Sequence, residues 1–246
     1  MRRFFVSEMD GRAEALAREF GLGLELIGFC DVRRLEDGEF IRVQSARLEG
    51  LSGRAIHAPY YELAPCAIDP MIRAVAMLRM RQTAQVCARL GVKRMIVHSG
   101  YAPQVYFPEW FVPKSIDFWR EFLRELPGDL ELMVENVLDV GPEPLRAVMD
   151  GVGDDRLKIC LDVGHANVYS ETSVEEWIGA LGARIGHVHL HNNSGIRDEH
   201  APLNAGNMDM RRVFEKLDRC APEAVISIES MDAAACLRTL SDGGYL

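Results

Sequence analysis

Eight short apolar runs recur along this chain, each followed by enough sequence for a helix. They fall at residues 4–7, 24–28, 54–58, 94–98, 131–135, 158–162, 185–189 and 224–229. The runs are near-continuous rather than alternating, as expected of parallel strands buried on both faces. Amphipathic helices fill the gaps. The clearest opens at Asp69-Pro70, an N-cap followed by proline at the first helical position. It carries Ile72, Val75, Leu78, Val86 and Leu90 and stops at Gly91. Another opens at Ser173, where Ser-Val-Glu-Glu forms a capping box ahead of Trp177, Ile178 and Leu181. Further helices are expected at 11–20, 116–126, 143–149, 208–217 and 232–240. Eight such units predict an α/β chain folded as a single closed (β/α)8 barrel over residues 1–246. An open doubly wound sheet would carry a G-x-G-x-x-G after its first strand, and none is there.

Two stretches break the rhythm. Residues 33–53 are polar and read as an irregular excursion. Residues 101–114 are rich in aromatics and proline, with Tyr106, Phe107, Trp110 and Phe111. Both follow strand C-termini, the face on which barrel active sites form.

Composition narrows the class. With 48% hydrophobic and 26% charged residues, a chain of this length buries a large core without disulfides. The six cysteines are scattered with no C-x-x-C pair, so free thiols in a cytoplasmic protein are expected. The segment after Met1-Arg2-Arg3 is too short and too soon acidic for a signal peptide. No run reaches the ~18 apolar residues of a membrane span. A net charge of -9 with only four lysines weighs against a nucleic-acid partner.

The strand ends carry the chemistry. The third run ends at His57, the fourth at His98, the fifth at Glu135, the sixth at Asp162 with His165 close behind, the seventh at His189 and the eighth at Glu229. Any one of them reads equally well as a satisfied structural residue. Six consecutive strands ending this way crowd carboxylates and imidazoles at one barrel mouth, where protons or cations must neutralise them. A divalent metal does so, and mixed nitrogen and oxygen donors suit Mn, Fe, Co or Zn. On the seventh strand His187, His189 and His191 point to one side by the period of two, each step advancing ~6.6 Å. One or two of them reach a common centre. His187 is expected deeper in the packing and His191 at the rim. The loop beyond holds Asp198-Glu199-His200, whose D-x-H spacing puts two donor side chains on one side of an extended segment.

These residues resemble the xylose-isomerase-like TIM barrel superfamily, which includes sugar and sugar-phosphate isomerases and epimerases and the endonuclease IV group. The resemblance covers nearly the whole chain. It is carried by L-D-V-G-H at 161–165, by H-V-H-L-H-N-N-x-G-x-x-D-E-H-x-P-L-N-x-G-N from His187 to Asn207, and by the closing I-E-S at 228–230. It departs where Asn204-Ala205-Gly206 replaces a Gly-x-Gly. For the epimerase branch the resemblance implies one divalent metal (Mn, Zn, Fe, Co or Mg) on Glu135, Asp162, His189 and Glu229. For the endonuclease IV branch it adds His57, His98, His165, Asp198 and His200 and up to three ions. The acidity and short length set the chain apart from the latter branch.

The expected activity is isomerisation or epimerisation of a small sugar, sugar phosphate or related hydroxy-carbonyl compound. An enediolate would form by proton transfer between Glu135 and Glu229, with His165 positioning substrate oxygens. Tyr60, Tyr101 and Trp110 are candidates to wall the substrate, and Arg197 to hold a phosphate or carboxylate. Hydrolysis of a phosphodiester at a multinuclear centre, or lyase chemistry on an oxidised sugar, is the alternative. The sequence leaves the oligomeric state open, a homo-oligomer included.

Overall fold

In the computed structural model, which describes residues 2–126 and 128–246, the eight strands close into one parallel barrel in sequence order. They are β1 (Phe4–Ser7), β2 (Gly23–Leu26), β3 (Arg54–His57), β4 (Arg94–His98), β5 (Glu131–Glu135), β6 (Leu157–Asp162), β7 (Ile185–Leu190) and β8 (Val225–Ile228). β1 pairs with β8 to complete the ring, and one register irregularity falls at Ile159/Cys160. The helices are α1 (Ala13–Phe20), α2 (Gly38–Leu48), α3 (Pro70–Leu90), α4 (Pro108–Glu125), α5 (Glu143–Val152), α6 (Val163–Tyr169), α7 (Val174–Leu181), α8 (Met210–Cys220) and α9 (Ala233–Asp242).

The interior is layered, as the two-residue strand period requires. Phe5, Ala55, Ile96, Met133, Cys160 and Val225 form an apolar plug at mid-height. Phe5 fits because β2 and the approach to β3 offer Gly23 and Gly53; a Cβ at Gly23 would sit 2.6 Å from the ring. Beneath the plug, Arg94 closes the barrel by donating to the Gly186 carbonyl at 2.6 Å and to Glu131 at 2.8 Å. Above it, the next inward positions are His57, His98, Glu135, Asp162 and His189, so the plug is the floor of the polar mouth.

Sequence and structure part company in four places. Residues 33–53 are not an irregular excursion. They hold the end of one short 3-10 turn (Val32–Leu35) and then α2, capped by the Asp37 carboxylate accepting from Glu39 N and Phe40 N. Its buried face is Ile41, Gln44 and Leu48, and the polar middle member hides the stripe. α4 starts at Pro108, eight residues before its expected start, because a first-turn proline needs no N–H partner. α6 was not expected; it is nucleated by Asp162, whose side chain accepts from His165 N. Finally, the Ile72–Val75–Leu78 stripe of α3 does not face the barrel. The helix packs instead through Met77, Met80, Ala84 and Cys87, leaving that stripe outside.

All six cysteines are free thiols. Among the described residues no helix is long and apolar enough to cross a membrane.

Candidate metal centre at the barrel mouth

The strand C-termini surround a cavity of about 850 Å3, lined by His57, Tyr60, His98, Glu135, His165 and Glu229 among others. A second cavity, of about 730 Å3, lies at the opposite end and includes Arg3, Lys93 and Lys158. It holds none of the donor clusters described below.

Glu135, Asp162, His189 and Glu229 each place a donor atom within 4.8 Å of the others'. His189 Nδ1 is the focus. It is buried and makes no hydrogen bond, yet Glu229 Oε2 lies at 3.0 Å, Glu135 Oε1 at 3.4 Å and Asp162 Oδ2 at 3.8 Å. Its other nitrogen explains the orientation. Nε2–H donates to Glu25 Oε1 at 3.0 Å, while the second Glu25 oxygen, Oε2, accepts from His187 Nε2 at 3.1 Å. With the proton held on Nε2, the Nδ1 lone pair points at three carboxylates. A bare lone pair aimed at carboxylate oxygens is unfavourable unless a proton or cation lies between them. The donor set of one imidazole nitrogen and three carboxylates fits a divalent cation.

Two further clusters flank the first. His57, His98 and Glu135 form one. Glu135 links it to the central group: Oε1 faces His189, while Oε2 lies 3.0 Å from His57 Nε2 and 3.4 Å from His98 Nε2. On the other flank, Asp198 Oδ2 lies 3.3 Å from His165 Nε2 and 3.0 Å from His200 Nε2. His191, Asp198 and His200 also share a donor-sized space. Backbone carbonyls set three of these rings. Nδ1–H of His57 donates to Ala58 O, of His165 to Asn136 O and of His200 to Glu229 O, each at 2.9 Å, leaving every Nε2 turned into the mouth.

Local structure holds the D-x-H loop. The Asn192 amide donates to Leu203 O and Met208 O, and the Asn193 amide donates to Gly164 O. Gly164 of L-D-V-G-H is required because a Cβ there would collide with the His191 ring.

The structure therefore brings all nine expected donor residues to one mouth. The expected substrate residues divide. Tyr60 lines the cavity and stacks on His98, ring centroids 4.1 Å apart. Tyr101 does not line it; it is buried against Phe111. Trp110 and Arg197 are exposed and also stand off the lining. His187 is buried deep, as expected. His191 is not at the rim: it is buried, with Nε2 3.2 Å from Asp162 Oδ1, because the loop folds back over it. Glu25 was missed altogether. A glutamate at an interior strand position was the available signal, since a buried carboxylate needs a partner.

Electrostatics describe what the mouth does without a cation. Burial disfavours charge on His165 and His200, but the facing carboxylates win and lift them to about 10 and about 9. At His98 burial, joined by repulsion from the neighbouring imidazoles, outweighs the Glu135 carboxylate and lowers it to about 3. Protons on His165 and His200 thus stand in for metal charge. Metal and protons compete for the same lone pairs, so metal affinity is expected to rise with pH up to about 9–10, with proton release on binding. Calorimetry in buffers of different ionisation enthalpy measures the released protons. Affinity independent of pH would contradict the assignment.

Asp139 lies behind the mouth, buried, with Oδ2 accepting from Val137 N at 3.0 Å. Burial lifts its carboxyl to about 7 against backbone and side-chain donors that pull it down. The folded state therefore holds a proton that the unfolded state loses near pH 4, and stability falls as pH rises from about 4 to about 7. Asp139→Asn is expected to remove that slope, improving by roughly 1–4 kcal/mol relative to wild type between pH 5 and pH 8. Urea unfolding of the chelated proteins at both pH values reads the difference.

Comparison with known proteins places this arrangement. The model for the xylose isomerase-like TIM barrel matches residues 41–239. The chain belongs to that family. Uncharacterized protein MJ1311 of Methanocaldococcus jannaschii is 29% identical over 187 residues, which are 71% of this chain and 63% of that relative's length. The chain thus matches under two thirds of that relative. Among solved structures, the TTHB071 protein from Thermus thermophilus, soaked with ZnCl2, superposes with a TM-score of 0.81 at 24% identity, covering 97% of this chain and 96% of that one. A D-tagatose 3-epimerase-like protein gives 0.80 at 22% identity, covering 99% and 96%. Both share the fold of this xylose isomerase-like barrel.

Proposed function

We propose that this xylose isomerase-like barrel is a metal-dependent isomerase or epimerase of a small sugar, sugar phosphate or related hydroxy-carbonyl compound. The observation that carries the reading is the unpartnered His189 Nδ1 facing Glu135, Asp162 and Glu229. The fold likeness to a D-tagatose 3-epimerase-like protein agrees with a carbohydrate substrate. Glu135, Asp162, His189 and Glu229 would hold the cation, which as a Lewis acid would stabilise charge developing on a substrate oxygen. Glu135 comes from β5 and Glu229 from just beyond β8, so the two carboxylates approach a substrate from different sides of the barrel. One removes the carbon-bound proton and the other returns it. Tyr60 and His98 form an aromatic wall against which an apolar sugar face can rest. His165, fixed through Nδ1, orients substrate hydroxyls with Nε2.

The test is carbon-bound proton exchange. Metal-loaded protein in heavy water, offered a panel of ketoses and their phosphates, is expected to wash deuterium into at least one of them. Complete absence of exchange across the panel, with metal bound, would count against the reading.

A second reading rests on a different observation: both Glu135 oxygens are engaged, and Asp198 joins His165 and His200. These donors would offer up to three adjacent cation positions, an arrangement that would suit hydrolysis of a phosphate ester. Metal content separates the readings. About one ion per chain under replete conditions favours the isomerase, and two or three favour the hydrolase.

A further inference from the structure

We propose, on the basis of the isomerase reading, that Arg34 determines specificity: it receives the phosphate group of a phosphorylated ketose whose carbonyl end lies at the metal centre. The mouth cavity, at about 850 Å3, lies near the upper end of the ~300–1,000 Å3 typical of small-molecule sites. A small sugar held at the donor cluster therefore leaves space toward the rim. Residues 30–34, between β2 and α2, line one side of that rim. Arg197, expected from the sequence to hold an anionic group, stands off the lining. Imidazoles aside, the cationic side chains that line it are Arg33 and Arg34.

The two arginines differ in what they have left to donate. Arg33 is engaged by Asp31: Nε donates to Oδ1 at 2.9 Å and Nη2 to Oδ2 at 2.7 Å, a two-pronged ion pair. The Arg33 backbone N–H donates to Oδ1 as well, at 3.0 Å. Arg34 has no such partner among the described residues. Its nearest carboxylate oxygen is the same Asp31 Oδ2, 3.8 Å from Nε and already held by Arg33. Nη1 donates to Gly28 O at 3.4 Å. A guanidinium carries five N–H donors in a fixed fork, so most of those on Arg34 remain open.

Packing fixes the open fork in place. Arg34 Cζ lies 4.6 Å from the centroid of the Phe40 ring. Phe40 in turn meets buried Phe29 edge-on at 5.1 Å. Gly28 makes room for both partners: a Cβ there would sit 2.8 Å from Phe40 Cζ and 3.2 Å from Arg34 Nη1. The Gly28 and Ile27 N–H groups both donate to Glu8 Oε2, at 3.2 and 2.9 Å, which ties this stretch to the end of β1. An arginine stacked on an aromatic ring with its fork open suits two-point recognition of a phosphate. Charge favours that ligand over a neutral sugar. The chain carries -9, and Asp31, Glu62 and the donor carboxylates line the same cavity. A neutral sugar needs no cation at the rim. A phosphate dianion needs one there to offset the acidic field.

Equilibrium binding to the metal-loaded protein tests this with matched probes: fructose against fructose 6-phosphate, and ribulose against ribulose 5-phosphate. Wild type is expected to bind the ester of at least one pair roughly 10-fold or more tightly than the free ketose. Arg34→Gln should weaken ester binding by about 10–100-fold, the range for a charge-assisted fork, and leave free-ketose and metal affinity unchanged. Arg34→Lys keeps the charge without the fork; it should fall between the two, and it serves alone if the glutamine variant does not fold. Arg219→Gln, in the last turn of α8, removes the same charge elsewhere and should keep the preference. Ketose and ester bound alike by wild type, or a preference that survives in Arg34→Gln, would overturn the assignment. The isomerase reading would then still stand on its own deuterium exchange. Conversely, Arg34-dependent binding of an ester with no wash-in from any ketose would uphold the subsite and count against the isomerase reading.

Discussion

Glu229→Gln is expected to lower turnover by ~10²–10⁴, the range for losing one general acid–base group, even with metal restored to saturation. The amide keeps the volume of the carboxylate but neither takes nor returns a proton. The substitution also removes an anionic donor 3.0 Å from His189 Nδ1, so metal affinity should fall as well and the assay needs excess metal. Deuterium wash-in should decline in parallel with turnover, because both depend on the same carbon-bound proton. The hydrolytic reading makes the opposite forecast: no carbon exchange in wild type or variant, and labelled oxygen from water in the product. Oxygen incorporation without carbon exchange would therefore overturn the isomerase assignment while leaving the metal centre in place.

The second large effect concerns a residue expected to touch neither metal nor substrate. Glu25→Gln should weaken divalent-metal binding by about 10–100-fold, the usual consequence of removing the outer partner of a ligating histidine. The Glu25 carboxylate accepts from His187 and His189 with separate oxygens. Burial opposes its charge, but the two histidines outweigh that and hold it well below the usual carboxylate range. A glutamine has one acceptor, so only one of the two rings keeps its hydrogen bond. If His189 loses it, the proton is free to move to Nδ1 and block the central cation position. Chelator competition measures the affinity directly, independent of any substrate. Glu25→Asp is too short to reach both rings and should not restore binding. Unchanged affinity in Glu25→Gln would mean that the His189 tautomer is set by the carboxylates of the mouth alone.

Chelation should also cost stability in the wild type. At free metal one hundred times its dissociation constant, binding contributes about 2.7 kcal/mol that the stripped protein lacks. An unfolding midpoint indifferent to chelator would contradict a metal held by four buried side chains.

Much of this was legible in the sequence because parallel barrel strands are read locally. A short run buried on both faces is nearly all apolar, so its polar terminal residue stands out: His57, His98, Glu135, Asp162, His189 and Glu229 were each visible for that reason. Closure into a ring then leaves the strand C-termini at one end, which is why those residues meet. The capping box at Ser173 and the Asp69-Pro70 start of α3 were equally local and formed as expected.

What only the tertiary structure decided depends on partners far apart in the chain. Glu25 is 164 residues from His189, and nothing near it in sequence marks it as that ring's anchor. His191 is buried because the loop carrying Asp198 and His200 returns across it, a contact that strand periodicity does not encode. Tyr101 and Trp110 follow a strand end as pocket walls do, yet the early start of α4 turns one into the core and the other outward. The stripe on α3 is apolar by sequence, but a helix of mixed polarity has more than one face that can pack. The barrel chose Met77, Met80 and Cys87, and Ile72, Val75 and Leu78 were left on the outside. Local pattern fixes which residues are apolar or metal-competent; the neighbours supplied by the fold fix which of them are buried, paired or left exposed.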